Sequence, residues 1–385
     1  MKKNYWITGL LLTTVTLLHA SQPPSPLHFD TEKPAAGQTL SFEYAASNGK
    51  LAGVRDIHAV LFYYTAGRNP GYYADDLTIT SSGNDSWKGS FIVPDSAVAF
   101  ALRLRAGKTT EDNNGRGYIS LVYNEGSVRP GAYAGAALLY SNAEYLLGFP
   151  NKPDTVLALL GKEFALHPEL RSKYEATWYY NLVSVKKQDV YPLLEKRAQD
   201  ILSSPASSAA DYKLALRLFQ LQKKKKTADS VLRIAAEKFP GSELAIQYDD
   251  NQFYTIRNLD SMVLYFNQFN KKYPQTSLQD PAIEASTYFA SSIVGGYLTK
   301  KDYRTAITYT ARINDASADY RAFTYNRIAF TLLKNDTALA LADSVIQLAL
   351  SSLDNELEHP DKFKRQGAPL SEWKDELNRY YYAGI

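Results

Sequence analysis

The side chains that most often do chemistry are few in this sequence and poorly spaced for it. Histidine occurs five times, as His19, His28, His58, His167 and His359. A metal centre needs ligands that converge, as when His-x-x-x-His or His-Glu-x-x-His puts two imidazoles on one helix face. No such pair occurs, and His167 and His359 each precede a proline, where they read as helix ends. Cysteine is absent, which removes thiolate nucleophiles, disulfides, Cys–zinc sites and lipid attachment through a cysteine. There is no Gly-x-Ser-x-Gly elbow, P-loop or Gly-x-Gly-x-x-Gly run. The acidic pairs Asp75-Asp76 and Asp249-Asp250 are sequence neighbours whose side chains diverge, which suits caps and turns better than acid–base work. Four lysines at 223–226 read as a solvated turn between two helices, favoured by the dipole at a helix C-terminus. Gly295-Gly296 lies inside a helical pattern and reads as a place for close helix packing or a kink. No catalytic, cofactor-binding or metal-binding residue is expected.

The sharpest local motif is Asp112-Asn113-Asn114-Gly115. Asn-Gly supplies positive φ at little cost, so a tight hairpin turn accounts for it. Its setting allows a second reading. Trp87-Lys-Gly-Ser-Phe-Ile-Val-Pro-Asp95, an alternating strand, the Asp-Asn-Asn-Gly and Tyr118 together resemble starch-binding carbohydrate modules. In those modules an aromatic just before the motif stacks on sugar; here Glu111 holds that position. The resemblance implies a ligand loop of Trp87, Asp112, Asn113, Asn114 and Tyr118, with a glycan as ligand.

The elements around these residues follow from length and periodicity. At 385 residues, 45% of them apolar, the chain can build more than one core. Its 43 basic and 40 acidic residues nearly balance, which argues against nucleic acid as a partner. Lys2 and Lys3, a short apolar run over 5–18 and Leu18-His19-Ala20 form a secretory signal pattern, cut near Ala20 and too short to span a membrane. A periplasmic or secreted location is expected, with no span in the mature chain. Residues 21–130 have strand texture: alternation at 38–44, a β-branched and aromatic run at 57–64, then 76–81, 87–93, 97–105 and 118–123, with turn residues between. That predicts an Ig-like antiparallel β-sandwich. After Pro130 the period becomes helical, as in Val156, Leu160 and Phe164, or Leu341, Val345 and Leu348. About ten to twelve amphipathic helices are expected over 131–385.

Internal repetition sharpens the helical half. Lys238-Phe-Pro-Gly-Ser-Glu-Leu244 and Lys272-Tyr-Pro-Gln-Thr-Ser-Leu278 match 34 residues apart, the tetratricopeptide period. Phe164-Ala-Leu-His-Pro168 is a looser copy. Ala210-Asp-Tyr-Lys213 recurs as Ala318-Asp-Tyr-Arg321, and Ala-Asp-Ser-Val follows each, at 228–231 and 342–345. The prediction is a tetratricopeptide-like solenoid, whose stacked pairs form a surface for a protein or peptide partner. Of the 29 Tyr and 16 Phe, most are expected in cores and some in that groove.

Gln38-Thr-Leu-Ser-Phe-Glu-Tyr44, Leu51-Ala-Gly53, Phe91-Ile-Val-Pro-Asp-Ser-Ala97, Asp112-Asn-Asn-Gly-Arg-Gly-Tyr118 and Phe164-Ala-Leu-His-Pro-Glu169 resemble the N-terminal region of envelope thioredoxin-like (TlpA-type) proteins. Those relatives place a sandwich and helical repeats ahead of a thioredoxin domain with a Cys-x-x-Cys site. The resemblance implies an accessory region of a periplasmic thiol–disulfide oxidoreductase, with the redox residues outside this sequence. Ser371 reads as the cap of a last helix carrying Trp373, Leu377 and Tyr381, and the abrupt end at Ile385 reads as truncation. Taken with the empty inventory of reactive groups, the expected function is an exported non-catalytic binding or scaffold protein.

Overall fold

The computed structural model describes residues 25–67, 70–83, 85–275, 280–334 and 338–381. The signal pattern at 1–20 and the last residues of the proposed truncation lie outside them. The β part contains β1 (Leu27–Phe29), β2 (Thr39–Ala45), β3 (His58–Thr65), β4 (Gly71–Leu77), β5 (Ile79–Gly83), β6 (Ser86–Ile92), β7 (Ala97–Ala106), β8 (Thr109–Glu111), β9 (Tyr118–Leu121), β10 (Tyr123–Asn124) and β11 (Ser127–Val128). One sheet runs β1-β2-β6-β5. The other runs β4-β3-β7-β8, with β9 also on β7. β10 and β11 form a small hairpin. The expected single strand at 76–81 is two strands in different sheets, because the chain changes sheet at Thr78.

Alternation explains how the sheets meet. Leu40, Phe42 and Tyr44 of β2 face Leu61 of β3 and Phe100, Leu102 and Leu104 of β7 across one apolar core. Rings lock it: Phe100 meets Phe29 and Phe91 edge-on at 5.8 and 5.4 Å. The other face of β7 is buried too. Ala99 and Ala101 join Val60 and Phe62 of β3 against α1 (Ala132–Ser141) and α2 (Ala143–Leu147). Small residues make that approach possible. A Cβ on Gly135 would come within 2.9 Å of Val98 and 3.1 Å of Ala99. Val98, which strict alternation would put with Phe100 on the inter-sheet side, packs instead with the helices; the β3–β7 register shifts close by, at Tyr64/Thr65.

A buried carboxylate fixes where the helices begin. Glu163 is fully buried on α3 (Pro153–Leu166) and accepts the Gly131 and Ala134 amides at 2.8 and 3.0 Å. Free N–H groups at the start of α1 thus meet a negative charge. The chain continues through α4 (Arg171–Lys186), α5 (Tyr191–Ser203), α6 (Ala209–Leu221), α7 (Lys225–Lys238), α8 (Glu243–Phe253), α9 (Leu259–Lys272), α10 (Ala282–Thr299), α11 (Tyr303–Thr310), α12 (Ala318–Lys334) and α13 (Leu339–Glu358). Most successive helices pack together, and α4 touches α6, α8 touches α10 and α10 touches α12. Of the even-numbered helices, α4 with α6 and α8 with α10 and α12 thus form one layer, joined between α6 and α8 by the Lys213–Glu243 pair. No helix among the described residues is long and apolar enough to cross a membrane.

The repeated motifs mark equivalent joints. At the end of α7, Lys238 lies over the Tyr212 ring of α6, and Phe239 meets that ring edge-on at 5.4 Å. At the end of α9, Lys272 and Tyr273 hold Asp249 of α8 at 2.7 and 2.8 Å. In both cases the two residues before the proline fold back onto the preceding helix. Ala228 and Val231 of α7, and Ala342 and Val345 of α13, are the buried positions of the Ala-Asp-Ser-Val copies. The lysines at 223–226 do span a helix joint, with Lys223 at φ +60°. Gly296 permits close packing, since a Cβ there would stand 2.6 Å from Leu259.

After α14 (Pro360–Phe363) the chain returns to the β part. On α15 (Leu370–Glu376), Trp373, and just beyond it Leu377, fill a core shared with α12 and α13. Asp76 of β4 accepts the Ser371 amide at 2.8 Å and its hydroxyl at 2.5 Å. Ser371 was expected to cap this helix; Pro369 is the cap residue and Asp76 supplies the acceptor. Glu372 pairs with Arg103 and Arg105 of β7, the latter at 2.9 Å. Arg103 is buried, donates to the Leu146 carbonyl of α2 at 2.9 Å, and sits over the Phe62 ring. Both ends of the helical stack thus meet on one guanidinium.

Two measurements test this. Arg103→Ala leaves the buried Leu146 carbonyl without its donor and Glu372 with Arg105 alone, so urea unfolding should show a loss of about 3 kcal/mol. A loss under about 1 kcal/mol would mean that the contact behaves as a surface ion pair. The second concerns Glu356 of α13, a buried residue. Burial, reinforced by Asp319, raises its pKa from 4.5 to about 7. Above 4.5 the unfolded chain releases this proton before the native one does, so stability falls as pH rises towards 7 and then levels. Glu356→Gln should match the wild type near pH 4.5 and exceed it by roughly 2–3 kcal/mol at pH 8; equal stabilities at pH 8 would contradict the assignment.

Candidate binding surface

The loop singled out in the sequence is held from within. Glu111 is buried and accepts from the Tyr44 hydroxyl, the Lys50 amide and the Asn113 amide at 3.0, 2.6 and 2.8 Å. Asp112 pairs with Lys50 at 2.7 Å. Asn113 donates through Nδ2 to the Gly117 carbonyl and accepts from Arg116 at Oδ1. Asn113, Asn114, Gly115 and Gly117 all have positive φ, the conformation for which Asn and Gly are suited. Tyr118 is buried, and burial with Glu111 beside it pushes its hydroxyl above the ordinary tyrosine pKa. Trp87 lies across the β2–β6 ladder from Tyr44 and packs on the inter-sheet core. Beside the loop, a 310 Å³ cleft is lined by His28, Glu32, Asn113, Tyr118 and Ser120. The loop brings Asn113 and Tyr118 to this cleft, whereas Trp87 and Asn114 are not among its lining residues.

A larger surface lies on the even-numbered helices. On α4 the exposed stripe includes Lys173, Ala176 and Tyr180, and the even-numbered helices that follow each leave one stripe uncovered. On α6 the stripe is Ala210, Lys213, Arg217 and Gln220; on α8 it is Glu243, Gln247, Asp250 and Tyr254. On α10 it is Glu284, Tyr288 and Ser292, and on α12 Tyr320, Phe323, Arg327 and Phe330. The spacing of three and four is that of one helix face. Between α4, α6 and α8 these stripes enclose a 520 Å³ groove lined by Lys173, Ala176, Lys213, Leu214, Arg217 and Gln247, among others.

The two ends of this surface differ in charge. At the α4–α6 end, burial lowers the Lys173 pKa, and the ammonium rests on the Ala66 carbonyl at 2.8 Å. Lys213 is tied to Glu243 across α6 and α8, while Arg217 has no ion-pair partner among the described residues. At the α8–α12 end, Tyr288 meets Tyr320 edge-on at 5.4 Å, and Tyr320 lies 6.2 Å from Phe323. Asp250 and Glu284 sit among these rings. Burial and then Glu284 raise the Asp250 pKa, and its Oδ1 is buried without a hydrogen bond. Burial and then Asp250 do the same to the Tyr254 hydroxyl. Arg327 is held by the Ser291 carbonyl at 2.9 Å, and Asp319 faces Arg365 at 3.5 Å.

Such a surface can bind but offers no obvious nucleophile. It is long, part aromatic and part charged, and large exposed rings are what an interface uses as anchors. Phe323 and Phe330 are 53% and 64% exposed, far more than helix packing requires. No group of three or more His, Asp or Glu residues positioned to hold a metal occurs among the described residues. Sequence reading anticipated aromatics in a groove without naming them. The available signal was a second stripe at helical spacing on α12, opposite the buried Ala322, Tyr325 and Ala329.

The Asp112–Gly117 turn yields its own prediction. Glu111→Ala strips three donors of a charged acceptor and should cost about 3 kcal/mol in urea unfolding; a change under about 0.5 kcal/mol would show that the loop does not depend on it. Compared with family models and with curated proteins, the chain matches none.

Proposed function

We propose that this is an exported, non-catalytic binding protein that holds an extended polypeptide along the uncovered stripes of α4, α6, α8, α10 and α12. The helices then act as a tetratricopeptide-like solenoid, and the two sheets as an Ig-like sandwich that supports it. One observation carries the reading: α6, α8, α10 and α12 present a row of exposed aromatic and charged side chains that none of the described residues covers. Apolar rings left in water over several neighbouring helices are what a partner is needed to bury. The signal pattern adds a periplasmic or secreted setting. Glycan binding at the Asp112–Gly117 loop has less support, because the Trp87 ring packs on the core and Tyr118 is buried.

Selection of random peptides displayed on phage against the immobilised full chain tests the proposal. Selected peptides should bind in solution, and Tyr288→Ala and Phe323→Ala should each weaken them by roughly tenfold, as for interface anchors. Failure to select any peptide, or peptides indifferent to both substitutions, would overturn it. Circular dichroism of the variants confirms that the fold is kept.

A further inference from the structure

Resting on that polypeptide-binding reading, we propose that the groove selects its occupant by charge segregation: an extended segment with acidic residues at the α4–α6 end and Lys or Arg residues at the α8–α12 end. Five helices in one layer, at spacings of ~9 Å, span roughly 36 Å. An extended chain covers this with about eleven residues at ~3.3 Å each. One segment therefore reaches both charged ends at once.

The groups available at each end point in opposite directions. At the α4–α6 end, Lys213 is satisfied by Glu243 and Lys173 donates to the Ala66 carbonyl, so Arg217 remains to meet an acidic side chain. Arg217 is exposed and presents a planar fork suited to a carboxylate. At the far end Asp250 and the exposed Glu284 are two acids close enough to interact, and burial first, then Glu284, raises the Asp250 pKa. A cation placed beside them offsets the two negative charges. Tyr254, Tyr288 and Tyr320 stand around it with faces able to take a guanidinium or ammonium. Arg327, the cation on this part of α12, is already engaged with Ser291, and Asp319 with Arg365. A segment that mixes its charges sets an acid against Glu284 or a base against Arg217. The groove disfavours it by repulsion as well as by lost attraction.

Two fluorescent twelve-residue peptides of identical composition, one with acidic and basic blocks separated by Tyr and Leu and one with alternating charges, are titrated against the full chain. An uncharged Tyr/Leu/Ser peptide serves as reference. The segregated peptide should bind at least tenfold tighter than the alternating one at 50 mM salt, with the gap narrowing at 300 mM. Arg217→Glu and Glu284→Lys, both at exposed side chains without ion pairs among the described residues, should each weaken the segregated peptide by about tenfold and change the uncharged one far less. Equal binding of the two charged peptides, unaffected by either substitution while the uncharged peptide still binds and responds to Tyr288→Ala, overturns charge selection and leaves the groove standing. No binding by any of the three overturns both.

Discussion

The arrangement of this protein depends on one buried cation. Arg103 sits on the helix-covered face of β7, where desolvation works against its charge and lowers its pKa. It is tolerated because Glu372, the Leu146 carbonyl and the Phe62 ring surround it. Those partners come from the first helices after the sheets, the last helix of the chain, and the sheet itself. The cation therefore ties together three parts of the chain that also meet through apolar packing. A buried pair of this kind adds little stability relative to apolar replacements. Its effect is to fix a register.

Much of the β part was legible in the sequence because strand periodicity reports burial directly. Alternation at 38–44 placed Leu40, Phe42 and Tyr44 on one face, and they line the core. It was less informative for β7. That strand is buried on both sides, so the contrast on which alternation relies is absent, and nothing local marks Val98 as turned to the helices. The change of sheet at Thr78 was likewise hidden, because β4 and β5 run almost without interruption. The turn at Asp112–Gly117 was legible in its geometry, since Asn and Gly state their dihedrals. That its side chains serve an internal carboxylate, Glu111, depends on contacts 60 and more residues away.

The helical half shows a different limit. The repeated Lys-aromatic-Pro motif marks real joints, yet its two copies do their work with different partners, a tyrosine ring in one and an aspartate in the other. The motif fixes a position for the helix end rather than a contact. The even helices were hard to read for a related reason. With most of the circumference buried, their apolar stripes are broad, and an exposed aromatic such as Phe323 looks like one more core residue. Only the packing order shows that α8, α10 and α12 share a layer whose outer side is bare.

The return of α15 to the sheets bears on how the molecule is assembled. Arg103 and Glu372 are 269 residues apart in sequence, so their contact cannot form until every helix between them has been made. Until then the guanidinium waits with its helix-side partners incomplete. Native contacts of this separation carry a large loop-closure cost and come late in folding. A chain released whole meets this condition at once; a chain folding as it is made does not. Helix-by-helix growth from α1 onward can proceed in either case, and the final turn then acts as a latch whose closing reports that every preceding helix is in place.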